Sequence, residues 1–226
     1  MIEALLLDFD GLLYDTENAE YQAWNDLYAR HGLELERGLW VREAIGRPPG
    51  AGEFDPIVHL HELVGGELDV AALRAAGQEG KRERLPHRLM SGAPELLDAA
   101  RARGLRLAIV TSNDSANVRR HLARAGCTFD FDALISADGN RERGKPNPAL
   151  YLEALATFGL GPGQAVALED SPNGIAAAKA AGLPCIAVPN AVTRGAAGLQ
   201  AADVLLESLV EVDLDDLPRA TQPTTR

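Results

Sequence analysis

Short apolar runs that stop abruptly at polar residues recur along this chain. Leu5-Leu6-Leu7 leads into Asp8-Phe9-Asp10-Gly11, Leu107-Ala108-Ile109-Val110 into Thr111-Ser112-Asn113, and Val166-Ala167-Leu168 into Glu169-Asp170-Ser171. Apolar runs of this length bounded by turn residues predict buried strands. In an open parallel sheet ligands bind beyond the carboxyl ends of the strands, so the polar groups after these runs are expected to converge on one site.

Between the first run and residue 85 the periodicity is helical. Tyr21, Trp24, Leu27 and Tyr28 share one face, and Ile57, Leu60, His61 and Val64 follow the i, i+3, i+4, i+7 spacing. Gly32, the Gly46-Arg47-Pro48-Pro49-Gly50 segment and Gly65-Gly66 divide this stretch into about four helices. From Pro86 onward the pattern alternates. A helix is expected over 94–103, a strand over 105–110, a helix with Val118, Leu122 and Ala125 on one face, a strand over 133–136, and a helix with Tyr151, Leu155 and Phe158 inward. Strands over 165–168 and 184–188 flank a further helix, and an apolar run lies at 204–206. Strands alternating with helices imply βαβ units. The expected fold is therefore α/β: a Rossmann-like parallel sheet core built from residues 1–15 and 86–226, with a small all-α, four-helix domain inserted at 16–85. The polar residues from Pro218 to Arg226 are expected to fray.

Composition narrows the functional classes. The 226 residues suffice for one core with an insertion. With 22 basic and 33 acidic residues the formal net charge is −11, which disfavours nucleic acid and anionic membranes as partners. A small anionic substrate is still compatible, because a local cation overrides the global field at short range. Cys127 and Cys185 lack metal-ligand spacing and read as reduced thiols of a cytoplasmic protein. No apolar run approaches the roughly 18 residues of a membrane span, and Asp8 and Asp10 interrupt any secretory apolar region. The expected protein is a cytoplasmic monomer.

The first carboxylate pair carries the chemistry. Asp8 and Asp10 lie at i and i+2 beyond a strand, so residual strand geometry points both side chains the same way, and Gly11 permits a sharp turn close to a bound group. A strand-end turn is the plain alternative. A calcium loop is excluded, since its fifth, sixth and twelfth positions would be Leu12, Leu13 and Ala19. The segment Asp8-Phe9-Asp10-Gly11-Leu12-Leu13-Tyr14-Asp15-Thr16-Glu17 resembles the first motif of the haloacid dehalogenase superfamily, in the branch of phosphatases and phosphosugar mutases with a helical cap. The resemblance implies that Asp8 is the nucleophile and Asp10 the general acid and base. A carboxylate nucleophile divides a slow hydrolysis into two easier steps.

Three further segments extend the resemblance. Thr111-Ser112-Asn113 is similar to the second motif, which implies that Gly11, Ser112 and the Asn113 backbone surround the transferring phosphoryl group. Gly139 to Lys145 satisfies the spacing of a nucleotide-binding P-loop, but Pro146 supplies neither the hydroxyl nor the N–H that such a loop needs. Gly144-Lys145-Pro146 instead resembles the third motif, whose Lys neutralises charge on nucleophile and phosphoryl group. Glu169-Asp170-Ser171-Pro172 could be a helix cap; it resembles the fourth motif, which implies a Mg²⁺ site formed by Asp8, Asp170, the Asp10 carbonyl and Glu169 in or beside the inner shell.

Asp10 argues against the dehalogenase and phosphonate-hydrolase members, which lack an acidic residue there. The expected activity is Mg²⁺-dependent hydrolysis of a small phosphorylated metabolite, a sugar phosphate above all, through an aspartyl phosphate. The alternative is a β-phosphoglucomutase-like isomerase, and a third reading is a silent binding module, against which the full set of four motifs speaks. Mutases carry a His where this chain has Glu20, a residue expected to repel a phosphosugar. Arg47 lies where such caps present a specificity loop and is a candidate for a second phosphate. His59 and His61 fall on different helix faces and read as structural, as does Trp24.

Overall fold

The computed structural model describes residues 1–45, 54–66 and 68–219. Six parallel strands form one sheet in the order β3-β2-β1-β4-β5-β6: β1 Ala4–Leu7, β2 Arg106–Thr111, β3 Ala133–Ser136, β4 Ala165–Glu169, β5 Cys185–Ala187 and β6 Val204–Leu205. β1 lies between β2 and β4, with Leu7 paired to Ile109 on one side and to Leu168 on the other. Leu5 and Leu7 pack on one face of the sheet with Leu96, Leu97 and Val118; Ala4 and Leu6 pack on the other with Leu150, Tyr151 and Ile175. Both faces are covered, which is why the strands read as unbroken apolar runs.

The helices on these faces are α5 Ala93–Ala102, α6 Ser115–Arg124, α7 Ala149–Phe158 and α8 Pro172–Ala180. Between β1 and α5 run α1 Thr16–Arg30, α2 Arg37–Trp40 with a π-helical turn at Val41–Ile45, α3 Pro56–Val64 and α4 Val70–Arg84. Asp15, Asp55 and Asp69 cap α1, α3 and α4 through side-chain oxygens. These helices bury Tyr21, Trp24, Leu27, Tyr28, Trp40, Ile57 and Leu60 in a cluster of their own, which one residue from the sheet side, Val192, joins.

The α3 pattern needs correction. Ile57 and Leu60 are buried, but His61 and Val64 lie in solvent, because the short helix meets its neighbours over one turn only. The Tyr28 hydroxyl donates to Pro56 O at 2.7 Å, and His59 Nδ1 lies 2.8 Å from the same hydroxyl oxygen. Cys127 is half-buried, Cys185 buried, and both are free thiols. Among the described residues no helix is long and apolar enough to cross a membrane. The Gly46–Gly50 loop with Arg47, and most of the tail expected to fray, lie outside the described residues.

Candidate active site

The three strand ends named above do converge. Asp8 continues β1, its N–H donating to Leu168 O at 3.0 Å, and its carboxylate forms an ion pair with Lys145. Lys145 reaches Glu169 Oε1 at 2.7 Å, while Tyr151 donates its hydroxyl to the same oxygen. Lys145 arrives from the loop between β3 and α7, and its own N–H donates to Ser112 Oγ at 3.0 Å. That bond joins the loop after β2 to the Lys loop.

Asp10 sits in different surroundings. Its carboxylate accepts from Thr16 Oγ1 at 2.7 Å, from Thr111 Oγ1 at 3.2 Å and from Asn113 Nδ2 at 3.1 and 3.2 Å. The Asn113 backbone N–H donates to Thr111 Oγ1 at 3.0 Å, while its side-chain amide meets Asp10. Behind Asp10 the rings of Phe9, Tyr14 and His121 stack, with Tyr14 and His121 centroids 5.0 Å apart.

Asp170 follows β4 and is held from the other side. Asn190 Nδ2 donates to Asp170 Oδ2 at 2.7 Å and to Glu17 Oε2 at 2.9 Å, with Gly11 O at 3.3 Å. Gly11 has φ +84°, and a Cβ there would lie 2.5 Å from Asp170 Oδ2. Backbone conformation and space both require glycine at this turn. Gly174, in the first turn of α8, likewise makes room for the Glu169 carboxylate.

The electrostatics follow from five carboxylates gathered in one place, of which Asp8, Glu169 and Asp170 are buried and Asp10 and Glu17 half-buried. Burial pushes Asp8 well above the usual carboxylate range; Lys145 opposes this, and the charges of Glu169 and Asp10 add to it. Burial also raises Asp170, with Glu17, Asp8 and Glu169 contributing. Glu17 is pushed up to about 7 by burial, partly offset by hydrogen bonds with Asn190 and Asp170. For Lys145 burial alone would lower the ammonium, but Asp8 and Glu169 outweigh it and hold it above its ordinary value.

Asp8, Glu169 and Asp170 each offer one carboxylate oxygen, all within 4.8 Å of one another. Glu169 Oε2 is buried without a hydrogen-bond partner among the described residues. An all-oxygen, buried, anionic donor set of this kind suits a hard divalent cation. The site opens into a cavity of about 1360 Å³ between the strand ends and the helices of 16–84, lined on the helical side by Trp24, Trp40, Phe54 and Lys81. A second groove, of about 960 Å³ between α5 and the 125–132 loop, contains none of these carboxylates.

Sequence reasoning singled out Asp8, Asp10, Gly11, Ser112, Asn113, Lys145, Glu169 and Asp170, and all lie at this one place. It did not single out Thr16, Glu17, Tyr151 or Asn190. Thr16 and Glu17 stand within the quoted first motif, whereas Tyr151 reads as an inward helix residue and Asn190 follows β5 without any local signal. Glu20 also needs correction, because it forms an ion pair with Lys81 of α4, and its charge is therefore matched within the protein.

Residues 2–182 match the model of the haloacid dehalogenase-like hydrolases. The chain is 38% identical over 219 residues to YhcW of Bacillus subtilis, covering 95% of each chain. It is 33% identical over 212 residues to validoxylamine A 7'-phosphate phosphatase of Streptomyces hygroscopicus subsp. limoneus, covering 94% of this chain and 96% of that one. A structure of a CbbY mutant from Rhodobacter sphaeroides in complex with xylulose-(1,5)bisphosphate superposes with a TM-score of 0.68 at 32% identity, over 93% of this chain and 96% of that one.

Proposed function

The chain belongs to the haloacid dehalogenase-like hydrolase family, and within it we propose that this protein is a Mg²⁺-dependent phosphatase acting on a small phosphorylated metabolite, most naturally a sugar phosphate. The observation that carries the reading is the unequal environment of the two carboxyl groups. Asp8 is paired with the Lys145 ammonium, and Asp10, two residues on, is gripped by the neutral donors Thr16, Thr111 and Asn113. Two carboxyl groups in different surroundings can divide nucleophilic from acid–base work.

The proposed steps follow. Asp8 attacks phosphorus as the bond to the leaving oxygen breaks, and Asp10 delivers a proton to that oxygen. A water then attacks the aspartyl phosphate, losing its proton to Asp10, and the Asp8–phosphorus bond breaks to release inorganic phosphate. Lys145 holds Asp8 oriented and offsets negative charge, while Ser112 and the Gly11 turn face the phosphoryl group. Asp8, Asp170, Glu169 and the Asp10 carbonyl are the residues that would hold Mg²⁺, which when bound lowers repulsion between Asp8 and an anionic ester and stabilises charge in transfer. Residues 16–85 serve as a cap over the cavity, with the half-buried Phe54 offering a ring to an organic leaving group.

The support from relatives is that a named phosphatase and a sugar-bisphosphate complex stand at 33% and 32% identity across nearly the whole chain. The test is phosphate release from a panel of sugar, polyol and nucleotide phosphates in Mg²⁺. Turnover of at least one ester is expected, with Asp8→Asn reduced to background and Asp10→Asn slowed by about 10²–10⁴-fold. Retained turnover in Asp8→Asn overturns the assignment of the nucleophile. Conversion of β-glucose 1-phosphate to glucose 6-phosphate faster than phosphate release, given a trace of the bisphosphate, would favour the isomerase instead.

A further inference from the structure

Residues 190–193, in the loop after β5, touch three parts of the molecule in succession. The Asn190 amide meets Asp170, Glu17 and Gly11. Ala191 O accepts from Arg37 Nη1 of α2 at 3.2 Å. Val192 is buried in the aromatic cluster of the inserted helices. The orientation of the Asn190 side chain is dictated from behind: its Oδ1 accepts from the N–H groups of Val192 at 2.7 Å and Thr193 at 3.1 Å, and Thr193 Oγ1 accepts from the Asn190 N–H at 3.1 Å. Only an oxygen can face two N–H donors, so the NH₂ group must face the carboxylates.

The distribution of donors within the site gives this a chemical meaning. Lys145 serves Asp8 and Glu169, whereas Asp170 Oδ2 accepts from the Asn190 amide. A carboxylate whose one oxygen is fixed by a donor presents the other in a set direction, and such outer contacts govern how well a ligand residue binds its metal. We propose that Asn190 is a positioning residue: it fixes Asp170 for the divalent cation and ties that ligand to Glu17 at the start of α1 and, through its own turn, to the helical cluster around Val192. The inference rests on the reading that Asp170 holds the cation.

Isothermal titration of Mg²⁺ into the full-length protein tests it, with Asn190→Ala, Asn190→Ser and Val192→Ala alongside the parent. A Ser hydroxyl can cap the same turn but is too short to reach Asp170, so Asn190→Ser separates loss of the amide from loss of the loop. Both Asn190 variants are expected to bind Mg²⁺ about 10–100-fold more weakly. Val192→Ala disturbs the same loop without touching the amide and is expected to bind Mg²⁺ within about twofold of the parent. Asn190 variants that bind Mg²⁺ as the parent does, or a Val192→Ala loss equal to theirs, overturn the positioning role and leave the metal site standing. A parent that binds no Mg²⁺ overturns the reading of the site and this inference with it.

Discussion

Glu17 places a carboxylate on the first turn of a helix, where acidic side chains are ordinary, yet here it is half-buried, sharing the Asn190 amide with Asp170. Its pKa is pushed from 4.5 to about 7, first by burial. The native state thus holds this proton more tightly than the unfolded chain does, so its contribution to stability is full below the unfolded value of 4.5 and is lost as pH rises through about 7. Glu17→Gln carries no such proton. In EDTA, urea unfolding of parent and variant between about pH 4.5 and 8 should show the stability difference moving in favour of the variant as pH rises; a constant difference would exclude a raised Glu17. The same residue shows what local sequence can convey: Glu17 was visible as part of a motif, but its partner Asn190 is 173 positions away. Asp8, Asp10, Lys145 and Asp170 were legible because each stands beside a strand end or in a proline frame that the motif preserves.

At the scale of elements, α1 and α4 pack along their length, joined by ion pairs between Glu20 and Lys81 and between Asp26 and Arg84. Gly77 lets α4 approach the buried Trp24 ring, where a Cβ would lie 2.5 Å from Cη2 and 2.8 Å from Cε3. Helix propensity alone favours Gly77→Ala by about 1 kcal/mol. Overpacking against a ring that cannot retreat costs about 1–3 kcal/mol and wins, so Gly77→Ala should lower unfolding free energy. Gly80, three positions on, leaves a Cβ 3.3 Å from Ala23 Cβ; Gly80→Ala should be neutral to slightly stabilising. Urea unfolding of both variants decides the point, and a stabilised Gly77→Ala would show that α1 and α4 are less closely packed than described. In the sequence Trp24 appears as one member of an apolar helix face, whereas the reason for Gly77 is invisible there, because a glycine needed for contact looks like one needed for a turn.

For the whole molecule the strand order is decisive. The chain places β2 and β3 on one side of β1 and β4 to β6 on the other, so the crevice opens where the direction of winding reverses, and five carboxylates meet there. Such a site gains stability from a cation that binds only the folded state, by about 2.7 kcal/mol at a concentration one hundred times Kd. Chelation by EDTA should therefore abolish phosphate release and lower the thermal midpoint, and added Mg²⁺ should restore both. A midpoint indifferent to Mg²⁺ at millimolar concentration would oppose a metal at Asp8, Glu169 and Asp170.

Sequence alone determined the strands, the helical stretch between the first two of them and the residues at the strand ends, because buried parallel strands must be apolar throughout and must stop where polar chemistry begins. Tertiary structure alone decided that the Asn113 side chain meets Asp10, that Lys81 matches Glu20, that Tyr151 and Lys145 share Glu169, and that Asn190 holds Asp170. These are contacts between side chains from different elements. Their geometry depends on how the elements pack, and no local spacing of residues encodes it.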